Sequence, residues 1–135
     1  GKADTSVWRN STTPFCALRS SATTTQQVTF GNDGDTPVSA DFDGDGKANY
    51  AVRHNAGWII MNDSWTSTTT TTPTGDAATD IPVANDFDGD GKVDIAVWRP
   101  SNGNWYIRRS GSSNALREEA WGTSGDIPVP ALWRR

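Results

Sequence analysis

Very little in this chain can do covalent chemistry. It has one histidine, His54, and one cysteine, Cys16, so acid–base work has a single imidazole to draw on and no disulfide can form within one chain. A lone histidine near a strand end reads as a surface or interface residue, and Cys16, on an expected strand, as a packed thiol rather than a nucleophile. No G-x-S-x-G or metalloprotease motif is present. Glu118 and Glu119 are neighbours on an expected strand, so their side chains point to opposite faces, the wrong geometry for carboxylates that flank one bond. The expectation is a protein that is not an enzyme.

Other absences narrow the partners. No run approaches 18 apolar residues, so no helical membrane insertion is expected. The formal net charge is −4 and Lys and Arg form no cluster, so there is no phosphate-binding face and no nucleic acid is expected. Apolar residues make up only 34% of the 135 residues, yet there are 7 Trp, 13 Gly and 7 Pro with long Thr/Ser tracts. That mixture suits short strands joined by turns and argues against helices, so the fold class is all-β.

Two stretches stand out against this background, DFDGDGKAN at 41–49 and DFDGDGKVD at 86–94. In each, carboxylates fall at positions 1, 3 and 5, a glycine at 6, and a further oxygen side chain at 9. Three aspartates within five residues repel one another unless a hard cation sits between them. Ca2+ takes six to eight oxygens at about 2.3–2.6 Å, which short Asp side chains and one carbonyl of a tightly turned loop can supply. The expected ligands are Asp41, Asp43, Asp45, the Lys47 carbonyl and Asn49 in one loop, and Asp86, Asp88, Asp90, the Lys92 carbonyl and Asp94 in the other. The lysine side chains are then left to face water. An EF-hand would need glutamate at position 12 and flanking helices, whereas position 12 is Val52 or Val97 in a strand-like run, so each loop is expected between strands. Seven of the 16 acidic residues lie in these loops, and two calcium ions per chain would bring the formal charge to zero. Calcium is millimolar outside cells, which points to an extracellular, secreted or cell-surface setting.

Self-comparison sets the architecture. GKADTSVWR, GKANYAVR and GKVDIAVWR begin at residues 1, 46 and 91, a period of 45, and repeats of this length mean propellers or solenoids. The clearest unit predicts an opening strand from Ile81, the loop, a doubly buried strand over 94–99, a hairpin turn at 100–103, a third strand over 104–108 and a fourth over 115–121. Four antiparallel strands of this kind make one propeller blade. The whole chain reads as strands 2-3-4, then 1-2-3-4 twice, then a lone strand 1: three blade-equivalents, with repeats of about 1–35, 36–79 and 80–125 and a closing strand over 126–135. A closed propeller needs about four to eight blades. Either the chain neighbours further blades of a longer chain, or two copies form a homodimer that closes a six-bladed ring. A third loop, of which residues 1–4 keep only positions 6 to 9, is expected to hold no metal.

The repeat DFDGDGKVDIAVWRPSNGNWYIRRS, with GDIPVP leading into the next unit, resembles the FG-GAP/VCBS repeat family of secreted bacterial proteins, whose blades are similar to those of the integrin α-subunit propeller. The resemblance covers essentially the whole chain. It implies that each loop joins the first two strands of a blade and binds calcium through the residues named above, with Asn49 making its site the less charged and weaker one.

The aromatics carry a ligand hypothesis. Trp98, Trp105 and Trp121, with Arg99 and Arg108, offer flat faces for sugar rings and forked donors for hydroxyls or carboxylates, in a site between blades at the end opposite the loops. The competing role of such residues is to pack one blade on the next. Three functions follow as expectations: a calcium-stabilised propeller module for binding or adhesion, with a glycan or protein ligand; a structural fragment whose function is its own oligomeric assembly; or an accessory domain of a secreted carbohydrate-active enzyme.

Overall fold

The computed structural model describes residues 5–9, 14–18, 25–55, 57–62, 68–71 and 79–130. They form an all-β fold of three antiparallel sheets, each a simple up-and-down meander. The first sheet holds β1 (Thr5–Trp8), β2 (Pro14–Leu18) and β3 (Thr25–Thr29). The second holds β4 (Thr36–Ala40), β5 (Asn49–His54), β6 (Gly57–Met61) and β7 (Thr68–Thr71), and the third β8 (Ile81–Asn85), β9 (Asp94–Arg99), β10 (Asn104–Arg109) and β11 (Ala115–Ala120). Among the described residues the only helical element is one 3-10 turn at Ser110–Ser112, between β10 and β11.

Turn chemistry explains the meanders. Between β9 and β10 the chain reverses through Gly103, whose φ of +73° is open to glycine at no cost. A Cβ there would lie 2.1 Å from the Gly122 carbonyl oxygen, so the close approach of the following linker also requires glycine. The β5–β6 reversal uses Asn55 at φ +51°, a residue that tolerates the left-handed region.

The sheets stack in chain order because alternate residues of the central strands feed opposite faces. From the second sheet, Tyr50, Val52, Ile59 and Met61 pack against Trp8, Phe15, Val28 and Phe30. Its other face sends Val38, Trp58 and Ile60, with Phe42 from the loop, against Ile95, Val97 and Tyr106 of the third sheet. The far face of the third sheet carries Val83, Ala96 and Ile107 with Phe87 and Trp105. As expected for a strand apolar on both sides, β9 is buried from Asp94 through Trp98.

At the end away from the acidic loops, an ion pair staples β8 to β9. The Arg99 Nε and Nη2 donate to the two oxygens of Asp80 at 2.9 and 3.0 Å, and the Asp80 side chain is fully buried. Arg53 approaches the same carboxylate from the second sheet: burial lowers its pKa and the charge of Asp80 opposes that shift. Arg99→Lys keeps the charge but loses the fork, and it is expected to cost about 2 kcal/mol in urea denaturation. A loss well below that would mean that Arg53 alone satisfies Asp80.

One expected element is missing. Residues 126–130 form no strand, and Ile127 and Val129 are 83% and 74% exposed. A strand exists only through ladder bonds to a neighbour, and no described residue supplies an edge to this segment. The remainder of that expected strand, 131–135, and the partial loop at 1–4 lie outside the described residues.

Candidate metal centre

Both acidic loops are wound by their own first side chain. Asp86 accepts the Gly89 amide at 2.6 Å on one oxygen and the Gly91 amide at 3.0 Å on the other. Asp41 does the same for Gly44 at 2.6 Å and Gly46 at 2.8 Å. Position 3 accepts from position 5 at 3.2 Å (Asp43) and 3.3 Å (Asp88), and position 5 accepts from position 7 at 2.8 Å in both loops. These bonds are short-range consequences of aspartate spacing. The left-handed conformations of Gly44, Gly46, Gly89 and Gly91, with φ between +81° and +90°, let the chain curl tightly enough to make them.

The curl gathers carboxylates. Asp41, Asp43 and Asp45 each offer an oxygen within 4.8 Å of the others, and so do Asp86, Asp88 and Asp94. Two oxygens bound to one calcium ion at about 2.3–2.6 Å are at most about 5.2 Å apart, so either trio fits around a single ion. All donors are hard oxygens, the set that suits calcium and not a softer metal.

The loops differ at position 9. Asp94 is wholly buried, and while it belongs to its trio its oxygens also accept the Phe87 amide at 2.9 Å and the Ser110 amide at 2.7 Å. Asn49 accepts the Phe42 amide at 2.8 Å but turns its Nδ2 toward Asp43, donating at 3.2 Å. In this orientation its oxygen accepts from the loop itself, and the carboxylates gathered in this copy are Asp41, Asp43 and Asp45. Position 9 therefore latches the loop back to its second residue in both copies, a role that ligand spacing did not suggest.

A second contribution missed in the sequence comes from the β10–β11 turn, which covers the 86–94 loop. The Ser110 hydroxyl donates to Asp90 at 2.9 Å and the Gly111 amide to Asp88 at 3.2 Å. A Cβ on Gly111 would lie 2.7 Å from Asp90 Oδ2. Ser110 and Gly111 are some 20 residues from those aspartates, and the only sequence signal was that a serine and a glycine open the turn of the same repeat.

The two loops are neighbours. The Val93 amide donates to the Asp41 carbonyl at 2.8 Å, and the stem of Lys92 lies across Gly44. Lys47, expected to face water, is largely exposed but also pairs with the Asp45 carboxylate.

The five ligand-binding candidates do not converge. Trp98 and Trp105 share the far face of the third sheet and both donate their indole N–H to the Trp121 carbonyl, at 3.3 and 2.9 Å. Trp98 is 1% exposed and offers no open ring, whereas Trp121 is 80% exposed. Arg99 is held by Asp80 and lies over the Tyr106 ring. Arg108 stands apart from these, at the loop end, lining a cavity of about 260 Å3 between the second and third sheets with Phe42, Asp43, Asn49, Ile60 and Ile95. Its Nη1 donates to the Asn114 carbonyl at 3.1 Å, and its Nε is buried without a partner.

His54 is engaged structurally: its Nδ1 lies 2.7 Å from a buried Asp35 oxygen and Asn55 Nδ2 lies 2.9 Å from its Nε2. Cys16 is half-buried on β2, opposite Val7 and Gln27. Searches of protein-family models, of curated proteins and of solved structures each find no match to this chain.

Proposed function

We propose that this chain is a calcium-stabilised β-propeller segment of the FG-GAP/VCBS type, acting outside the cell as a binding module. The observation that carries the reading is the same self-wound aspartate loop built twice, 45 residues apart, each time entering the inner strand of a four-stranded meander. Consecutive meanders stacked face to face through aromatic and β-branched residues are what propeller blades require. Calcium is structural in this reading. A loop of this kind fills the ion's coordination sphere, leaving no open position for a substrate.

The ligand is received beside Arg108. Its guanidinium supplies forked donors for a carboxylate or a pair of hydroxyls, and Phe42, Ile60 and Ile95 supply apolar wall. A volume just under the usual range for small-molecule sites suits one sugar unit or one side chain of a protein ligand.

Calorimetric titration is expected to show two calcium ions per chain, the tighter one lost in Asp86→Ala because the 86–94 loop carries the additional carboxylate. A glycan array probed in calcium is expected to retain the protein and to lose it with Arg108→Ala. Titration with no calcium uptake would overturn the metal reading, and an array that retains nothing would leave assembly as the function.

A further inference from the structure

The linker that carries the first sheet into the second is built again where the third sheet finishes. FGNDGD at 30–35 and WGTSGD at 121–126 share their spacing and their bonds. The Trp8 indole donates to the Phe30 carbonyl at 3.2 Å and the Trp98 indole to the Trp121 carbonyl at 3.3 Å. The Asn32 and Thr123 amides donate to the Asp35 and Asp126 carboxylates at 2.7 and 2.9 Å. The Asp35 and Asp126 amides return to the Asn32 and Thr123 carbonyls, both at 3.1 Å. After Asp35 this turn delivers the chain into β4, which pairs with β5. After Asp126 the same turn delivers Ile127 and Val129 into solvent.

The complementary vacancy is at β1. It matches β5 and β9 in the repeat, and those strands have outer neighbours in β4 and β8, whereas among the described residues β1 is the edge of its sheet. An unpaired edge is a template for another strand.

We infer that residues 126–130 of one copy add to the β1 edge of a second copy. The existing ladders set the register. Thr36 opposes Arg53 and Ile81 opposes Trp98, so Ile127 opposes the partner's Trp8 and Val129 opposes the partner's Ser6. Asp126 then faces the partner's Arg9, as Asp80 faces Arg99 and Asp35 faces His54. Both prolines agree with this placement. Pro128 falls where Pro37 and Pro82 already sit opposite Val52 and Val97, and Pro130 has the same parity, so neither removes a needed N–H. The back of the first sheet, where Val7 and Leu18 are 57% and 50% exposed, comes under the same partner. Its counterpart in the second sheet, with Val52, is covered by the first. That two such contacts close a two-copy ring rests on the propeller reading above; the strand addition itself does not.

The test places Arg9→Cys on one chain and Asp126→Cys on another, both in a Cys16→Ser background, and mixes them under mild oxidation. Opposed residues of an antiparallel pair lie about 4.5–5.5 Å apart, within disulfide reach. The expected product is a covalent dimer of twice 14.5 kDa, absent from either chain alone and absent when Val7→Cys replaces Arg9→Cys. In light scattering the unaltered protein is expected to be a dimer. Arg9→Asp is expected to weaken it about tenfold, and adding Asp126→Arg to restore it. A monomer in solution, a disulfide within one chain carrying both cysteines, or equal cross-linking at Val7 would each overturn the inference. Calcium titration on the same variants reads the other proposal separately: uptake by a monomer leaves the metal reading intact, and a cross-linked dimer without uptake leaves this one.

Discussion

Chelation with EDTA is expected to lower the melting temperature by roughly 10 °C relative to millimolar calcium. Each ion bound only by the folded chain contributes RT ln(1 + [Ca2+]/Kd), about 1–3 kcal/mol per site when calcium exceeds Kd some ten- to hundredfold. For a domain of this length each kcal/mol moves the midpoint by about 3–5 °C. The direction follows from the geometry, since each folded loop holds three carboxylates with oxygens within 4.8 Å of one another, and without a cation they repel. Added sodium chloride is therefore expected to recover part of the loss in EDTA by screening. Magnesium is expected to recover less, because it demands octahedral geometry at about 2.0–2.1 Å and dehydrates reluctantly. Calorimetric scans that superimpose with and without EDTA would show that the trios hold no stabilising ion.

Asp94→Ala is expected to be the most damaging single change near the loops, at about 3–4 kcal/mol in urea denaturation carried out in EDTA. The condition matters: with metal removed, what is lost is the latch alone. Asp94 is fully buried and accepts the Phe87 and Ser110 amides, so truncation strands two donors at about 1–3 kcal/mol each. Asp94→Asn keeps one acceptor oxygen and is expected to lose about half as much. Asn49→Ala strands the Phe42 amide and is expected to cost about 1–2 kcal/mol. An Asp94→Ala variant as stable in EDTA as the unaltered chain would mean that position 9 serves only the metal.

The two substitutions separate roles that ligand spacing merges. Positions 1, 3 and 5 organise the loop through side-chain bonds to amides two to five residues away, and they hold their oxygens close together as they do so. Position 9 ties the loop to the sheet. In the 86–94 copy it does both, since Asp94 belongs to its carboxylate trio while its two oxygens accept the Phe87 and Ser110 amides. In the 41–49 copy the Asn49 oxygen accepts the Phe42 amide and its donor end faces Asp43.

How much was legible before the structure follows from the range of the interactions. The aspartate loops were, because every bond that winds them is local and the glycines alone permit the curl. The meanders were, because a run over 94–99 that is apolar on both faces and a glycine turn at Gly103 act within a hairpin. The gathering of ligand residues was not: Arg99 and Arg108 lie nine residues apart in sequence, yet one is captured by Asp80 at one end of the sheet while the other lines a cavity at the opposite end. Nothing in the composition of β9 and β10 separates those fates, which depend on what the neighbouring sheet brings to each position.

What composition and spacing specify is an all-β chain with two aspartate–glycine loops 45 residues apart, each leading into a strand, because these features depend on side chains reaching their own or adjacent strands. Which residues close the loops depends on how the sheets and turns meet, with Ser110 and Gly111 covering one loop and the amide of Asn49 turned toward Asp43 in the other. The tertiary structure also decided that residues 126–130, whose pattern matches β4 and β8, form no strand within the chain. A local pattern can specify a strand's faces and its turn of entry, but the ladder that makes it a strand needs an edge, and whether an edge is within reach is a property of the assembled fold.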